Sequence, residues 1–218
     1  MSGSKSSGEI YADFGHQYGC ENCDSDLLMS AFLHNFKKFS EEKPCYGFAK
    51  EGGKKWWIDL IKCTFLEASV KVNRIDEMCQ EMYEYFATVT PWTLVDPEIQ
   101  SHLIQIRKQG VDIAIISNFD SQLRLILDRF QLSPHISSFL LSGEIGIEKP
   151  DRRIFDLAAK QFNLPSMKYI LHIGDSYDKD YIAAQAAGAN ALLFMENPIE
   201  NNDCHIIRSL SELIENKE

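Results

Sequence analysis

The stretch from Tyr169 to Gly188, YILHIGDSYDKDYIAAQAAG, decides the fold of this chain. Four of its first five residues are apolar, and such a run is typical of a buried strand. Gly174 then allows the chain to turn. The loop after it carries three aspartates, Asp175, Asp178 and Asp180. From Tyr181 the composition is helical until Gly188. The stretch therefore predicts a strand, an acidic turn and a helix.

The acidic turn has two interpretations. Carboxylates at the C-terminal end of a strand in an open α/β sheet lie where such folds bind their ligands. Their hard oxygen atoms suit magnesium, which binds few protein carboxylates and keeps several waters. A short acidic cluster is also commonly a turn with helix-capping side chains. The turn alone leaves both interpretations open, and the stretches upstream of it decide between them.

Composition limits the class of protein. With 218 residues and 44% hydrophobic composition, the chain can bury a core, and a net charge of -10 opposes binding to nucleic-acid phosphates. No apolar run approaches the ~20 residues that span a bilayer. We expect a cytoplasmic protein without nucleic-acid or membrane partners. Its six cysteines are scattered, which predicts free thiols.

The pattern of the chain predicts three segments. Residues 1–8, MSGSKSSG, are small and polar and predict a disordered leader. Residues 9–90 have helical apolar spacing, as in Ile10, Phe14 and Tyr18, and predict a cap of about four helices, one of them capped by Asp24 or Ser25. Residues 91–218 predict the α/β core. The two prolines of TVTPWTLVDP mark the boundary between cap and core.

The core alternates between strand and helix patterns. Strands are predicted at residues 111–116, 138–141, 169–173 and 190–195, and helices at residues 98–109, 121–130 and 151–162. Alternation at this spacing predicts an α/β fold with a parallel sheet.

Polar side chains follow the predicted strands. Ser117 and Asn118 come after a strand and before a helix, where a hydroxyl, an amide and helix N–H groups can receive an anion. Lys149 precedes Pro150 and another helix, and adds a positive charge. Asp175 and Asp180 can hold a metal. Together these residues predict a site for phosphate and Mg²⁺.

Three stretches at this spacing, IISNFD, EKPDRRIF and HIGDSYDKD, resemble motifs II, III and IV of the haloacid dehalogenase-like superfamily. The resemblance implies a Rossmann-like (Rossmannoid) core with a helical cap and, most often, phosphate-ester hydrolysis. It implies that Ser117 and Asn118 bind the phosphoryl group. It also implies that Lys149 neutralises charge on that group and on the nucleophile, as a catalytic residue. Asp175 would bind magnesium, with Asp180 supporting the metal or its waters.

The nucleophile is the part of the pattern that we do not find. The family's motif I is an apolar strand ending in DxD and a Thr, and its first Asp is the nucleophile. Asp24-Ser-Asp26 has that spacing, but no buried strand precedes it and no Thr follows. Because the motif I strand is the central one in the family, we expect residues 111–116 and 169–173 either to stay unpaired at their inner edges or to pair directly. We interpret the start of the chain as that of a truncated isoform, an incomplete gene prediction, or a chain in which residues 1–8 replace the lost strand.

These observations support three hypotheses. The first is a phosphohydrolase by descent that binds phosphate or a phosphorylated small molecule with Mg²⁺ and is inactive or nearly so, a pseudoenzyme. The second is a non-catalytic protein-interaction module whose partner the sequence does not identify. The third is an active small-molecule phosphatase, with motif I supplied by the complete gene product or with Asp24 or Asp26 as nucleophile.

Two further side-chain types have open interpretations. His172 lies in a predicted strand and is either a packed, hydrogen-bonded histidine or a ligand, and the first is favoured. Trp56 and Trp57 point about 100° apart on a helix, so only one can lie centrally on the buried face. The other either lines a cleft or packs partly exposed between helices.

Overall fold

The structure is a computed structural model that describes residues 5–196 and 204–215. The described residues form two compact units. The helical unit contains those of Met1–Thr93 and Phe119–Phe130, and the sheet unit contains those of Leu94–Asn118 and Gln131–Glu218. In the described part, no helix is long and apolar enough to cross a membrane.

The elements follow the expected alternation of helices and strands. In chain order they are α1 (Ser7–Gln17), α2 (Ser25–Glu42), α3 (Pro44–Gly47), α4 (Gly52–Glu67), α5 (Ile75–Phe86), α6 (Ile99–Lys108), β1 (Ala114–Ser117), α7 (Gln122–Arg129), β2 (Ser138–Leu141), α8 (Ser142–Ile145), α9 (Arg152–Gln161), β3 (Leu171–Gly174), α10 (Ala183–Ala187), β4 (Asn190–Phe194), β5 (Ile206–Ile207) and α11 (Glu212–Glu215). A π-helical segment, Tyr177–Ile182, leads into α10.

The first helix begins earlier than the sequence pattern indicated. Ser6 caps α1, because its hydroxyl accepts a hydrogen bond from the Glu9 N–H at 3.2 Å while its own N–H donates to the Glu9 carboxylate at 2.6 Å. This reciprocal capping box satisfies two backbone donors that a helix start leaves open. Residues 7 and 8 are therefore helical, which corrects the expected disordered leader there, and residues 1–4 lie outside the described part.

Asp24 caps the next helix, as predicted. One oxygen of its carboxylate accepts hydrogen bonds from the N–H groups of Asp26 at 2.9 Å and Leu27 at 3.0 Å. These bonds satisfy the open donors at the start of α2 and favour a negative charge there. The Asp24-Ser-Asp26 stretch is accordingly the entry to a helix, and it does not follow a strand.

The helical unit packs around its own apolar core. Contacts join α1 to α2, α2 to α4, and α4 to α5. The core includes the fully buried side chains Leu28, Phe65, Met78 and Met82. With Ala31 on α2 and Ile61 on α4, these residues lie three or four positions apart on each of three helices, so each helix presents one apolar face to the others.

The sheet unit contains parallel strands. Ala114 to Ser117 of β1 pair in register with Ser138 to Leu141 of β2. β4 lies between β3 and β5 and is parallel to both. β2 has the predicted bounds, whereas β1 begins three residues later than predicted, because its ladder starts only where β2 starts. The two-residue strand β5 was not predicted, since two apolar residues are too short a pattern.

The described strands form two sheets. One contains β1 and β2, and the other contains β3, β4 and β5. Direct pairing of β1 with β3, one of the two arrangements expected from the sequence, is wrong for these strands. Every residue of β1 is only partly buried, which is typical of an edge strand and not of a central one. Both sheets still share one core, in which Leu140, Phe155 and Leu193 are buried.

Candidate phosphate and metal site

Asn118 and Lys149 lie beside each other in the sheet unit. The Asn118 side chain donates from Nδ2 to the Lys149 carbonyl oxygen at 2.8 Å, and its Oδ1 accepts from the Lys149 N–H at 2.7 Å. This two-way bond fixes the loop before α9 to the end of β1. The amide of Asn118 therefore positions the lysine, a role that the phosphate-binding prediction did not include.

The Lys149 ammonium points back to the end of β1. Its Nζ donates to the Ile116 carbonyl oxygen at 3.0 Å and contacts Oδ1 of Asp180. The side chains of this ion pair are only 11% and 5% exposed. A buried pair of this kind needs further hydrogen bonds to its polar atoms, and the Ile116 carbonyl, His172 and the Ser176 N–H supply them.

The Asp180 carboxylate has three hydrogen-bond partners in the sheet unit. Besides Lys149, its Oδ1 lies 2.9 Å from Nε2 of His172, and its Oδ2 accepts from the Ser176 N–H at 3.0 Å. Burial alone would raise the pKa of Asp180, but hydrogen bonds from His172 and Lys149, the charge of Lys149 and the Ser176 N–H hold that pKa well below its ordinary value. Asp180 is therefore a fixed anion at the end of β3.

Gly174 allows this carboxylate to approach the strand so closely. A Cβ atom built on Gly174 would lie 2.3 Å from Cγ of Asp180, which is closer than a Cβ atom comes to a non-bonded neighbour. Gly174 is the last residue of β3 and does not have a positive φ, so this close approach requires the glycine and the turn predicted at this position does not.

His172 is the packed, hydrogen-bonded histidine favoured by the sequence. It is buried, its ring meets Phe155 edge to face at a centroid distance of 5.2 Å, and it contacts Asp180. Its position beside the acidic turn was missed as a functional feature. A signal was available, because side chains two apart on a strand share a face, and Gly174 on that face adjoins Asp180.

Ser117 and Asp175 lie at the ends of strands, as the sequence indicated. Ser117 is the last residue of β1 and is partly buried, whereas Asp175 follows β3 and is exposed. The described bonds thus unite three of the predicted site residues, Asn118, Lys149 and Asp180. They leave the roles of Ser117 and Asp175 as predictions.

The donors near β3 fit magnesium better than a transition metal. In the described part of the chain, no three His, Cys, Asp or Glu side chains converge as a metal cluster. Magnesium needs only one or two protein carboxylates, because waters and phosphate oxygens complete its octahedron. The exposed Asp175 can bind it directly. Asp180 already accepts bonds at both oxygens, so it suits a supporting role toward the metal's waters.

A parallel-stranded unit with a lysine and aspartates at its strand ends, together with a helical unit, defines a class of hydrolase. A family model described as haloacid dehalogenase-like hydrolase matches residues 9–188. The chain belongs to this family, as the motif resemblance implied. The bovine haloacid dehalogenase-like hydrolase domain-containing protein 3 is 32% identical over 190 residues, which cover 85% of this chain and 74% of that relative.

Solved structures share the fold. The L-2-haloacid dehalogenase of Xanthobacter autotrophicus superimposes with a TM-score of 0.68 at 10% identity, covering 98% of this chain and 94% of that one. A HAD phosphatase of Thermococcus onnurineus has a TM-score of 0.63 at 18% identity, covering 94% and 85%. These likenesses confirm the predicted α/β fold with a helical cap.

Proposed function

We propose that this chain is a phosphohydrolase by descent that binds phosphate or a phosphorylated small molecule with Mg²⁺ and turns it over slowly or not at all. The observation that carries the proposal is the buried Lys149 ammonium held at the end of β1 by Ile116 and Asp180. A fixed cation at the carboxyl end of a parallel strand attracts an anion with several oxygens.

Each residue has a distinct part in this proposal. The Ser117 hydroxyl donates to a phosphate oxygen, and Lys149 neutralises its charge. Asn118 holds the Lys149 loop in place through its two backbone bonds. Asp175 and Asp180 would hold magnesium, which when bound supplies further positive charge to the phosphate oxygens. His172 keeps the Asp180 carboxylate oriented.

The proposal of little or no turnover rests on the lack of a suitable candidate for the nucleophile. Hydrolysis of the family's kind needs a carboxylate beside the bound phosphoryl group. The best sequence candidate, Asp24, accepts two backbone hydrogen bonds as a helix cap. Using it as a nucleophile would disrupt those bonds and the start of α2, which costs about 1 kcal/mol before any chemistry begins.

Calorimetric titration of inorganic phosphate with and without MgCl₂ tests binding, and release of nitrophenol from 4-nitrophenyl phosphate tests turnover. We expect phosphate to bind only with magnesium, and we expect Lys149→Gln to weaken it about tenfold or more, as loss of a charged hydrogen bond requires. Asp175→Asn should abolish the phosphate binding that needs magnesium. The exposed neighbour Asp178 supplies the matched control, because Asp178→Asn also removes one negative charge from the same turn.

Each result decides one half of the proposal. Phosphate binding that needs magnesium and Asp175, without nitrophenol release, supports both halves. Release that needs both magnesium and Asp175 would contradict the lack of turnover and would direct the search for a nucleophile to Asp24 and Asp26. A folded protein that binds no phosphate under either condition would contradict the site itself and favour the protein-interaction hypothesis.

A further inference from the structure

Two strands of the sheet unit, β1 and β3, each have an open edge. Among the strands that the structure describes, β1 pairs only with β2, and β3 pairs only with β4. In a ladder, alternate residues of a strand direct their N–H and C=O groups to opposite neighbours. Each of these two strands therefore has a row of backbone groups on its other side that no described strand uses.

The hydrogen bond at the start of the β1–β2 ladder identifies the open groups of β1. The Ser137 N–H donates to the Ile113 carbonyl oxygen at 2.7 Å, so Ile113 directs its backbone groups toward β2. Because the direction alternates along a strand, the N–H and C=O groups of Ala114 and Ile116 point away from β2. Every residue of β1 is also partly exposed, as expected of a strand with an open edge.

The open groups of β3 follow from the same argument. The Asn190 N–H donates to the Ile170 carbonyl oxygen at 2.9 Å, so Ile170 directs its backbone groups toward β4. The N–H and C=O groups of Leu171 and Ile173 therefore point away from β4. The side chain at the start of this strand is exposed as well, since Leu171 is 47% exposed.

The open edge of β1 faces the end of β3. The Ile116 carbonyl, which points away from β2, accepts from Nζ of Lys149 at 3.0 Å, and the same Nζ contacts Asp180. Asp180 in turn adjoins Gly174, the last residue of β3. This bridge holds the carboxyl ends of β1 and β3 within two strand spacings, about 10 Å, of each other. We call the space between the two edges, from Ala114–Ser117 to Leu171–Gly174, the slot. One strand fills a space of this width.

Both sheets cover the same core with one face. Ala114 and Ile116 of β1 and Ile170 next to β3 pack against the core that contains Leu140 of β2 and Leu193 of β4. A strand in the slot would join these faces into one layer, and every second side chain of it would face the core. Those side chains have to be apolar, since a polar group there would lose its hydration without gaining a partner.

The slot favours a free segment over another folded molecule. A free strand in the slot pairs with two edges at once, whereas a strand added at the outer edge of β2 or β5 pairs with one. In a second copy of this chain, every described strand is already paired on at least one side. A second copy would therefore cover one edge of the slot and leave the other open. An extended segment with no sheet of its own satisfies both edges.

We infer that the slot between β1 and β3 is a binding site for an extended segment of another polypeptide, about five residues long and with apolar side chains at alternate positions, which adds as a strand to both edges. The inference does not rest on the proposed phosphate function, because backbone groups of the strands form the site. Its test needs neither phosphate nor magnesium, so the two proposals can fail separately.

The test uses the whole chain, labelled with ¹⁵N, and the peptide acetyl-Lys-Lys-Val-Thr-Ile-Thr-Val-Gly-amide, in which β-branched apolar residues alternate with threonines. We expect saturable binding with a dissociation constant on the order of 100 µM. Bound peptide should slow deuterium exchange at the amides of Ala114, Ile116, Leu171 and Ile173 about tenfold or more. A control peptide with proline in place of the isoleucine has the same charge but lacks one ladder N–H, so it should bind about tenfold more weakly.

A pair of variants places the peptide in the slot. Ala114→Pro removes an N–H that points into the slot and keeps the bonds between β1 and β2, because proline is tolerated at the first residue of a strand and on an open edge. It should weaken peptide binding about fivefold. Val111→Pro also introduces a proline, at an exposed position ahead of β1, and should leave peptide binding unchanged.

If Ala114→Pro fails to fold, amide exchange in the unmodified chain decides the question. Slower exchange on both edges of the slot, with that of Leu140 on the outer side of β2 unchanged, supports the inference. Slower exchange on one edge only, or at Leu140 instead, would overturn it, and so would the absence of binding or equal binding of the proline peptide.

Two further results would also overturn the inference. The first is peptide binding that Ala114→Pro leaves unchanged in a folded protein. The second is slow exchange on both edges without peptide, which would assign the slot to a second copy if it rises with protein concentration and would mean that the two sheets are joined if it does not.

Discussion

The carboxylate of Asp180 is buried in the sheet unit against Lys149, His172 and the Ser176 N–H. Ion pairs of this kind contribute little when both partners are replaced, but removal of one partner leaves a buried charge uncompensated. Asp180→Asn should therefore lower the free energy of unfolding by about 3 kcal/mol at pH 7. Urea unfolding with a metal chelator present measures this free energy. The control Asp178→Asn, at an exposed position, should change the free energy of unfolding by less than about 0.5 kcal/mol.

The same pair has a pH dependence with a definite sign. The folded protein holds the pKa of Asp180 below its ordinary value because of its hydrogen bonds and the charge of Lys149, even though burial opposes this. The stability it contributes is present above about pH 4, the pKa of an unfolded aspartate, and is lost as pH falls further. The difference in the free energy of unfolding between the unmodified chain and Asp180→Asn should accordingly shrink as the pH falls from about 4 to about 2. A constant difference over that range would contradict the ion-pair assignment.

At the scale of elements, the pairing of the strands is the feature with the clearest consequence. β4 has a partner on each side, whereas β1 and β3 each have one partner strand among those described. In a ladder, alternate N–H groups face opposite neighbours, so half the amides of β1 and β3 have no ladder partner. We expect amides of β4, such as those of Leu192 and Leu193, to exchange with deuterium one or two orders of magnitude more slowly than those of β1.

Amide exchange followed by NMR measures this difference directly, and the bonded amides of β2 serve as an internal reference. Uniform slow exchange through β1 and β3 would show that the two sheets are joined in solution, against the separation described above.

Across the whole molecule, the sequence predicted those features that depend on local patterns. The opening stretch gave the strand, turn and helix of β3 and α10, and the residues after β1 and before α9 were placed correctly beside each other. The sequence did not predict that Asn118 binds the backbone of Lys149, because a contact 31 residues apart leaves no periodic signal. The same reason explains the cluster of aromatic rings in the helical unit, which come from four helices and the segments beside them.

The charge of the molecule gives a final prediction. Its 32 acidic and 22 basic side chains leave a net charge of -10. Between 10 and 150 mM KCl the Debye length falls from about 30 Å to about 8 Å, so repulsion between distant charges is screened while contacts within ion pairs change less. Exposed pairs such as Lys62 with Asp76 contribute only a few tenths of a kcal/mol and cannot offset this repulsion. The melting temperature should therefore rise over this range of salt. Glu21→Lys, at an exposed loop position, changes the net charge from -10 to -8 and should reduce the rise. A melting temperature that falls with added salt would mean that local attractions outweigh the net charge.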